Sequence, residues 1–441
     1  MGLSRSLVTG ASSLGANQRR FDVISNNLAN SNTIGYKNSS VNFQDQISQT
    51  MKYGIAPDSS GGVGIGGRNA QQIGLGVKIG SITKDMSQGV LETTNRPLDM
   101  AINGDGYFVY NKNGKDFFSR AGAVTRDTQG NLVDSATGYY LQGYNVQTDG
   151  SGRPVKNSKN QNILESSRKN INIAPGVISQ PKQTENIIYD GNIERDMEEG
   201  EAKTTSIKIF DMTGAPRNLA ITFTKTANPG EFTLSGKVDG LDIALSDTAL
   251  VFKSDGTLDT PMNIAVTAAD LNSTLGNTLF DEGSPKDINI QFGDPKAITS
   301  GSITNFAGIS DVTPAQQDGY EAGDLVGLEV DEKGKLVGTF TNGRNEILGQ
   351  VNIAKFTNPE GLLNAGNNMY SENVNSGVPN IGTALDNFPS SSIAGRALEQ
   401  SNVDLTTQFT DMISTQRAFE AASRTITVTD QMLSEVTNLK R

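Results

Sequence analysis

The chain contains no cysteine, no histidine and no tryptophan. Without cysteine there are no disulfides and no thiolate metal sites, and without histidine the usual zinc ligands and the Ser-His-Asp arrangement are excluded. Carboxylate pairs and Ser-Lys chemistry stay formally open, but Asp and Glu are scattered among turn and surface positions. The reading is a protein that is not an enzyme, with no catalytic residue, no cofactor site and no metal site. No apolar run approaches the twenty residues of a membrane-spanning helix. A basic stripe is also missing: 37 Lys and Arg stand against 48 Asp and Glu, a net charge of −11, which disfavours nucleic acid and anionic lipid as partners. Residues 1–30 lack the apolar core of a secretory signal, since Arg19 and Arg20 follow a mixed polar segment. That predicts a cytosolic protein, or export by a route that needs no such signal.

Glycine is in excess. The 441 residues include 48 glycines, which bring an apolar fraction of 35% back to an ordinary globular figure and leave room for two to four domains. In the middle of the chain, Gly, Asn, Asp, Ser and Thr separate short alternating runs, the pattern of turn-rich β structure.

The two ends differ from that middle. Leu405, Met412, Phe419, Ile426 and Leu433 recur every seven residues, and Phe409, Ala422 and Val436 fill the three-or-four offsets of a helix. Ser401-Asn402-Val403-Asp404 opens the stretch with the Ser-x-x-Asp pattern of a capping box, and Lys440 and Arg441 close it where a helix dipole favours cations. Such a helix is about 60 Å long and needs a partner for its stripe. Leu3, Leu7, Leu14, Phe21, Ile24 and Leu28 supply one on steps of four and three, with Gly10 and Asn17 as weak positions. Two readings stay open: a helix pair within one chain that ties up its ends, or a seam completed by neighbouring copies.

Between the helices, Asn26 to Lys37 (NNLANSNTIGYK) is a dense Asn run with one Gly, on physical grounds a helix stop. Residues 41–72 read as a Gly/Ser-rich connector. Gly62-x-Gly64-x-x-Gly67 fits a dinucleotide loop in letters only, with no strand before it and no helical pattern after it. Ile73, Leu75, Val77 and Ile79 alternate as one strand. From Pro97 to Gln147 the pattern is β, with a turn at Asn103-Gly104-Asp105-Gly106 and a solvated hairpin at Asp127 to Gly130. Short strands fill 148–314, among them Ser206–Phe210, Leu219–Thr224 and Phe232–Val238; hairpins around Lys333-Gly334 and Asn342-Gly343 follow. The fold class is α+β: paired N- and C-terminal coiled-coil helices (1–40 with 396–441) and two nested mainly-β domains, an inner one (73–147 with 315–395) and an inserted outer one (148–314).

The run Asn26, Asn27, Leu28, Ala29, Asn30 to Gly35, Tyr36 and Lys37 closely resembles the N-terminal signature of the flagellar axial proteins, the rod, hook and hook-associated family. Ser401 to Leu433 is similar to its C-terminal signature, with Ser401, Asn402, Val403, Asp404, Gln416 and Arg417 as matching positions. DMAINGDGYFVY and Phe118 to Tyr144 are similar to the segment shared by rod and hook proteins; Thr205 to Phe223 and Gln317 to Tyr370 resemble the hook branch. The large insertion points to that branch, with the distal rod and the hook-filament junction as alternatives within the family. From a different class, the alternative is a secreted β-rich binding module on a helical stalk.

The resemblance implies a homopolymer: a flexible tube acting as a universal joint between a rotary motor's rod and its filament. It further implies contacts with rod, hook-cap and hook-filament junction proteins, passage through the flagellar type III export apparatus, and a place outside the cytoplasm, at the cell surface or in the periplasm. On this reading the subunit interface is made by Leu7, Leu14, Phe21, Ile24 and Leu28 with Leu405, Phe409, Met412, Phe419, Ile426 and Leu433. Hinges are expected near Gly61–Gly67 and Ile381–Gly395.

Overall fold

A computed structural model describes residues 2–57, 66–150, 153–157, 161–281, 287–293 and 302–439. Most of the expected Gly61–Gly67 hinge, and the terminal Lys440 and Arg441, lie outside the described residues. The chain divides into two compact units, one of Met1–Pro175, Leu328–Val337 and Ile347–Arg441, the other of Gly176–Gly327 and Gly338–Glu346. Three α-helices are present among the described residues: α1 (Gly2–Ala29), α2 (Ala268–Leu275) and α3 (Leu405–Leu439).

In the first unit α1 and α3 lie side by side and antiparallel, since Arg20 meets Asp411 and Asn27 meets Gln408. The Asn run stops α1 by competing for its last carbonyls: Asn30 Nδ2 donates to Asn26 O at 2.9 Å. The helix α3 starts later than a capping box at Ser401 predicts. Asp404 is its cap, accepting from Thr406 N at 2.9 Å and from the Thr407 hydroxyl at 2.6 Å. The cause is tertiary: Ala397–Glu399 pairs as a strand with Leu91–Thr93, and Gln400 N donates to Val90 O, so the backbone is extended up to that point.

The β part of this unit is assembled from distant segments. Tyr107–Lys112 and Lys115–Ser119 form a hairpin, whereas the 347–355 stretch of the strand Asn345–Lys355 pairs with Tyr140–Asn145, Tyr107–Lys112 and Asn380–Thr383. The turn Asn103–Gly106 therefore does not join hydrogen-bonded neighbours, because Met100–Asn103 pairs with Ser392–Gly395. The segment expected to be a hinge, Ile381–Gly395, is thus held in two ladders, and Ala384 and Ile393 are at most 1% exposed. A backbone whose amides are paired on both flanks does not serve as a loose hinge. The stretch read as a connector, 41–72, contains strands: Ser39–Asp45 pairs with Val77–Lys84 and Ser48–Lys52 with Gln71–Gly74. The single strand expected over 73–79 is broken at Gly76, whose φ of 130° suits glycine and where a β-carbon would collide with the Ser12 hydroxyl of α1.

Most strands of the second unit lie in two sheets. One is an antiparallel meander of Ala202–Phe210, Pro216–Lys225 and Glu231–Val238, extended by Ala249–Phe252 and Leu258–Thr260, with the expected strand-turn-strand at Thr205 to Phe223. The other sets Asn186–Asn192 beside Ile288–Gln291 and Thr313–Gln317. Strict alternation of buried and exposed residues along Glu231–Val238 shows why these runs are strands with one face inward. Tyr189, Phe223 and Phe292 meet in the core at centroid distances of 5.4 to 6.1 Å. The short helix α2, unexpected in a stretch read as strands, is capped by Thr267, which accepts from Asp270 N, and closed by Gly276 at φ 70°.

Candidate assembly face and helix junction

The seam between α1 and α3 is made mostly of small and polar residues, with Ile426 packed against Gly10. On α3 the buried positions are Gln408, Thr415, Ala422 and Thr429, seven apart and each at most 9% exposed. Thr415 and Thr429 satisfy their hydroxyls on the carbonyls of Asp411 and Thr425, at 2.7 and 2.6 Å, which leaves their methyls for packing. On α1 the buried positions are Gly10, Ala16, Ile24 and Asn27, of which Gly10 meets Ile426 and Asn27 meets Gln408. Gly10 permits a close approach, since a β-carbon there would sit 2.9 Å from Ile426 Cγ1.

The stripe expected at the interface is therefore divided. Ile24 is buried, and Leu7, Leu14, Leu28, Met412, Ile426 and Leu433 are partly buried. Phe21, Leu405, Phe409 and Phe419 remain 38%, 44%, 50% and 42% exposed, joined on α3 by Ile413, Val428, Met432 and Val436. Phe21 and Phe419 flank a shallow groove of about 350 Å³ lined also by Asn17, Gln18, Thr415 and Gln416. Two helices cannot close two apolar stripes when their own contact is spent on a polar seam, so the greasy faces point outward.

At the foot of the pair lies a buried polar junction. Asn27 Nδ2 donates to Gln408 Oε1 at 3.0 Å and to Ser39 O at 2.8 Å, while its Oδ1 accepts from Ser39 N and the Tyr36 hydroxyl. All of its hydrogen-bonding capacity is used, so a buried amide fixes where α1, α3 and the first strand meet. Asn402 does the same on the other side, accepting from Asn38 N at 2.7 Å and donating to Asp85 O at 2.9 Å. Gly35, at φ 68°, donates to Glu399 O at 2.8 Å, and a β-carbon there would lie 2.8 Å from Ala121 N.

Lys37 ends this run with its side chain fully buried. Its Nζ lies 2.6 Å from Glu399 Oε1, itself fully buried, and donates to Ser87 O at 2.6 Å. Glu399 also accepts from Gly89 N at 2.8 Å, and Arg120 Nη1 stands 3.3 Å from its Oε2. Burial pushes the Lys37 ammonium below its usual pKa, and Glu399 opposes that shift. Residues 37, 120 and 399 are far apart in the chain, so the cluster records one specific arrangement of three segments. Removing Glu399 leaves two buried cations, a change that costs roughly 3–5 kcal/mol.

The sequence signature thus has a structural content that reading it as a helix stop missed. Asn27, Gly35, Tyr36, Lys37 and Asn402 come together; Asn26, Ala29, Asp404 and Arg417 are exposed, and Leu28, Asn30, Ser401 and Val403 are partly buried. Glu399, Arg120 and Gln408 were not singled out from sequence, because their partners are supplied by remote segments. The seven-residue recurrence of Gln408, Thr415, Ala422 and Thr429 was legible beside the apolar one.

Family matches run along the chain: "Flagella basal body rod protein" over residues 7–37, "Flagellar hook protein FlgE/F/G D1 domain" over 101–194, "Flagellar basal body protein FlaE D2 domain" over 184–320 and "Flagellar basal body rod FlgEFG protein C-terminal" over 394–439. The chain is 35% identical to the flagellar hook protein FlgE of Treponema pallidum (strain Nichols), covering 100% of both. It is 33% identical to that of Borreliella burgdorferi, over 99% of this chain and 100% of the relative, and 30% identical to that of Escherichia coli (strain K12), over 97% and 98%. Likeness to the crystal structure of Helicobacter pylori flagellar hook protein FlgE2, a TM-score of 0.48 at 13% identity over 70% of this chain and 100% of that one, is too slight to add to these.

Proposed function

The chain belongs to the flagellar hook protein family, and on that premise we propose that it is the structural subunit of a bacterial flagellar hook, assembling with copies of itself into a flexible tube that carries torque from rod to filament. The observation that carries this reading is the outward set of apolar side chains on a helix pair whose own seam is polar: Phe21, Leu405, Phe409 and Phe419 are all more than one third exposed. Large exposed apolar faces of this kind mark surfaces that another molecule covers. In the proposed tube the helices of 1–40 and 396–441 lie nearest the axis, and Leu7, Leu14, Leu28, Met412, Ile426 and Leu433 complete the burial that one chain leaves partial.

The junction at Asn27, Lys37 and Glu399 suits such a joint, because a subunit that transmits torque needs its axial helices tied to the β body that follows them. The subunit works outside the cytoplasm, in the hook, and its chemistry is mechanical rather than catalytic. Rod, hook-cap and hook-filament junction proteins and the type III export apparatus are the proposed partners beyond the chain itself. Electron microscopy of purified, concentrated protein tests the reading: tubular polymers are expected, and a chain that stays single at high concentration with both helices protected from amide exchange overturns it.

A further inference from the structure

The buried cluster at the foot of the helices does not balance. Lys37 and Arg120 bring two cations to the single carboxylate of Glu399, and none of the three side chains is more than 3% exposed. Arg120 Nε has no hydrogen-bond partner among the described residues. An unshared donor beside an uncompensated charge is unfavourable unless a group of opposite sign reaches it.

The same guanidinium lines a cleft of about 300 Å³, together with Met86, Asp105, Tyr107, Lys355 and Phe356. It lies over the Tyr107 ring, 5.3 Å from the centroid, and Tyr107 meets Phe356 edge-on at 5.9 Å. Lys355, partly buried, is held by the Ser390 hydroxyl at 3.0 Å. Taken together, the cleft and the cluster beside it carry three cations, Lys37, Arg120 and Lys355, against two acids, Glu399 and Asp105, next to an aromatic wall. Such a cleft fits a group with a short apolar stem and an anionic tip.

We infer that this cleft receives the carboxylate of an Asp or Glu side chain from a second copy of the chain. The choice of occupant rests on the self-assembly proposed above and on charge. Each subunit carries a net charge of −11, so copies repel one another, and their contacts need local cationic sockets for the excess of acids.

The test uses the full chain, the variant Lys355→Glu, and sodium glutarate as the carboxylate probe. In the wild type, glutarate is expected to raise the monomer melting temperature above that in sodium chloride at matched ionic strength. The variant is expected to lose that response and to need roughly tenfold more protein before polymer appears. Lys355→Gln, which keeps most of the stem, is read in its place if the reversed charge prevents folding. A variant that polymerises at the wild-type concentration overturns the second copy as occupant; if glutarate also leaves melting unchanged, the cleft holds only water and the site is refuted. A wild-type chain that forms no polymer overturns the functional reading instead, and the glutarate response still decides the cleft.

Discussion

Phenylalanine meets opposite fates in two regions of this chain. In the second unit Phe223 and Phe292 are at most 1% exposed, packed with Tyr189 between strands, whereas on the helix pair Phe21, Phe409 and Phe419 are 38% to 50% exposed. Sheets bury a continuous face, and the alternation along each strand sends every second side chain to it. Two helices meet along one narrow seam, and here that seam is occupied by Gln408, Thr415, Ala422 and Thr429. The aromatic core of the β unit closes within one chain, although Phe306 at its surface is 48% exposed, whereas all three phenylalanines of the helix pair stay open.

The sharpest way to break this contrast is Phe419→Asp. A charge on the outward face leaves the melting of the monomer almost unchanged, by less than about 0.5 kcal/mol, as for surface substitutions generally. In a polymer it becomes a buried charge and costs several kcal/mol at each contact, roughly the scale of a lost interface. The expected result is folded protein with no polymer in sedimentation or micrographs, and normal polymer from this variant would sink the outward face as an interface.

Phe223→Ala probes the other side. Emptying that position in the aromatic core is expected to destabilise the second unit by about 3–5 kcal/mol, read as a lowered urea midpoint. Loss below about 1 kcal/mol would show a core loose enough to collapse. A smaller effect is expected at the junction: Asn27→Ala strips partners from Gln408 and Ser39 N, at about 1–3 kcal/mol, with faster amide exchange at Ser39 as the check. Unchanged exchange would count against the amide as an organising node.

Acid gives the smallest change and touches both regions. In the second unit burial raises the Asp318 carboxyl, but hydrogen bonds from Lys182, Asn186 and Glu185 outweigh it and hold the pKa below the usual value. On α3 the Thr407 hydroxyl and Thr406 amide lower Asp404. Folded pKa values depressed below an unfolded value of about 3.9 mean that the unfolded chain takes up protons first as pH falls. The contribution is complete above that pH and lost as pH drops through the folded values. Melting temperature should therefore be level near neutrality and fall below about pH 4, less so in Asp318→Asn; an equal fall in that variant would remove Asp318 from the account.

Much of this was legible without coordinates, because periodicity is local. The seven-residue recurrence in α3, the strand-turn-strand at Thr205 to Phe223 and the hairpin turns at Lys333-Gly334 and Asn342-Gly343 each follow from neighbours in sequence. The misreadings fall where a remote segment decides. Ile381–Gly395 reads as a hinge until Met100–Asn103 and Asn345–Lys355 supply ladders for it. The start of α3 moves to Leu405 because Leu91–Thr93 holds the preceding residues extended.

By itself, then, the sequence determined the two terminal helices, the β character of what lies between them, the absence of thiol and imidazole chemistry, and the family. Those features depend on side-chain type and short-range spacing. Only the tertiary structure decided that threonines and a glycine, not the phenylalanines, form the seam between the helices, and that Lys37, Arg120 and Glu399 share one buried site. Packing and charge pairing act between segments hundreds of residues apart, and no local pattern records which of them will meet.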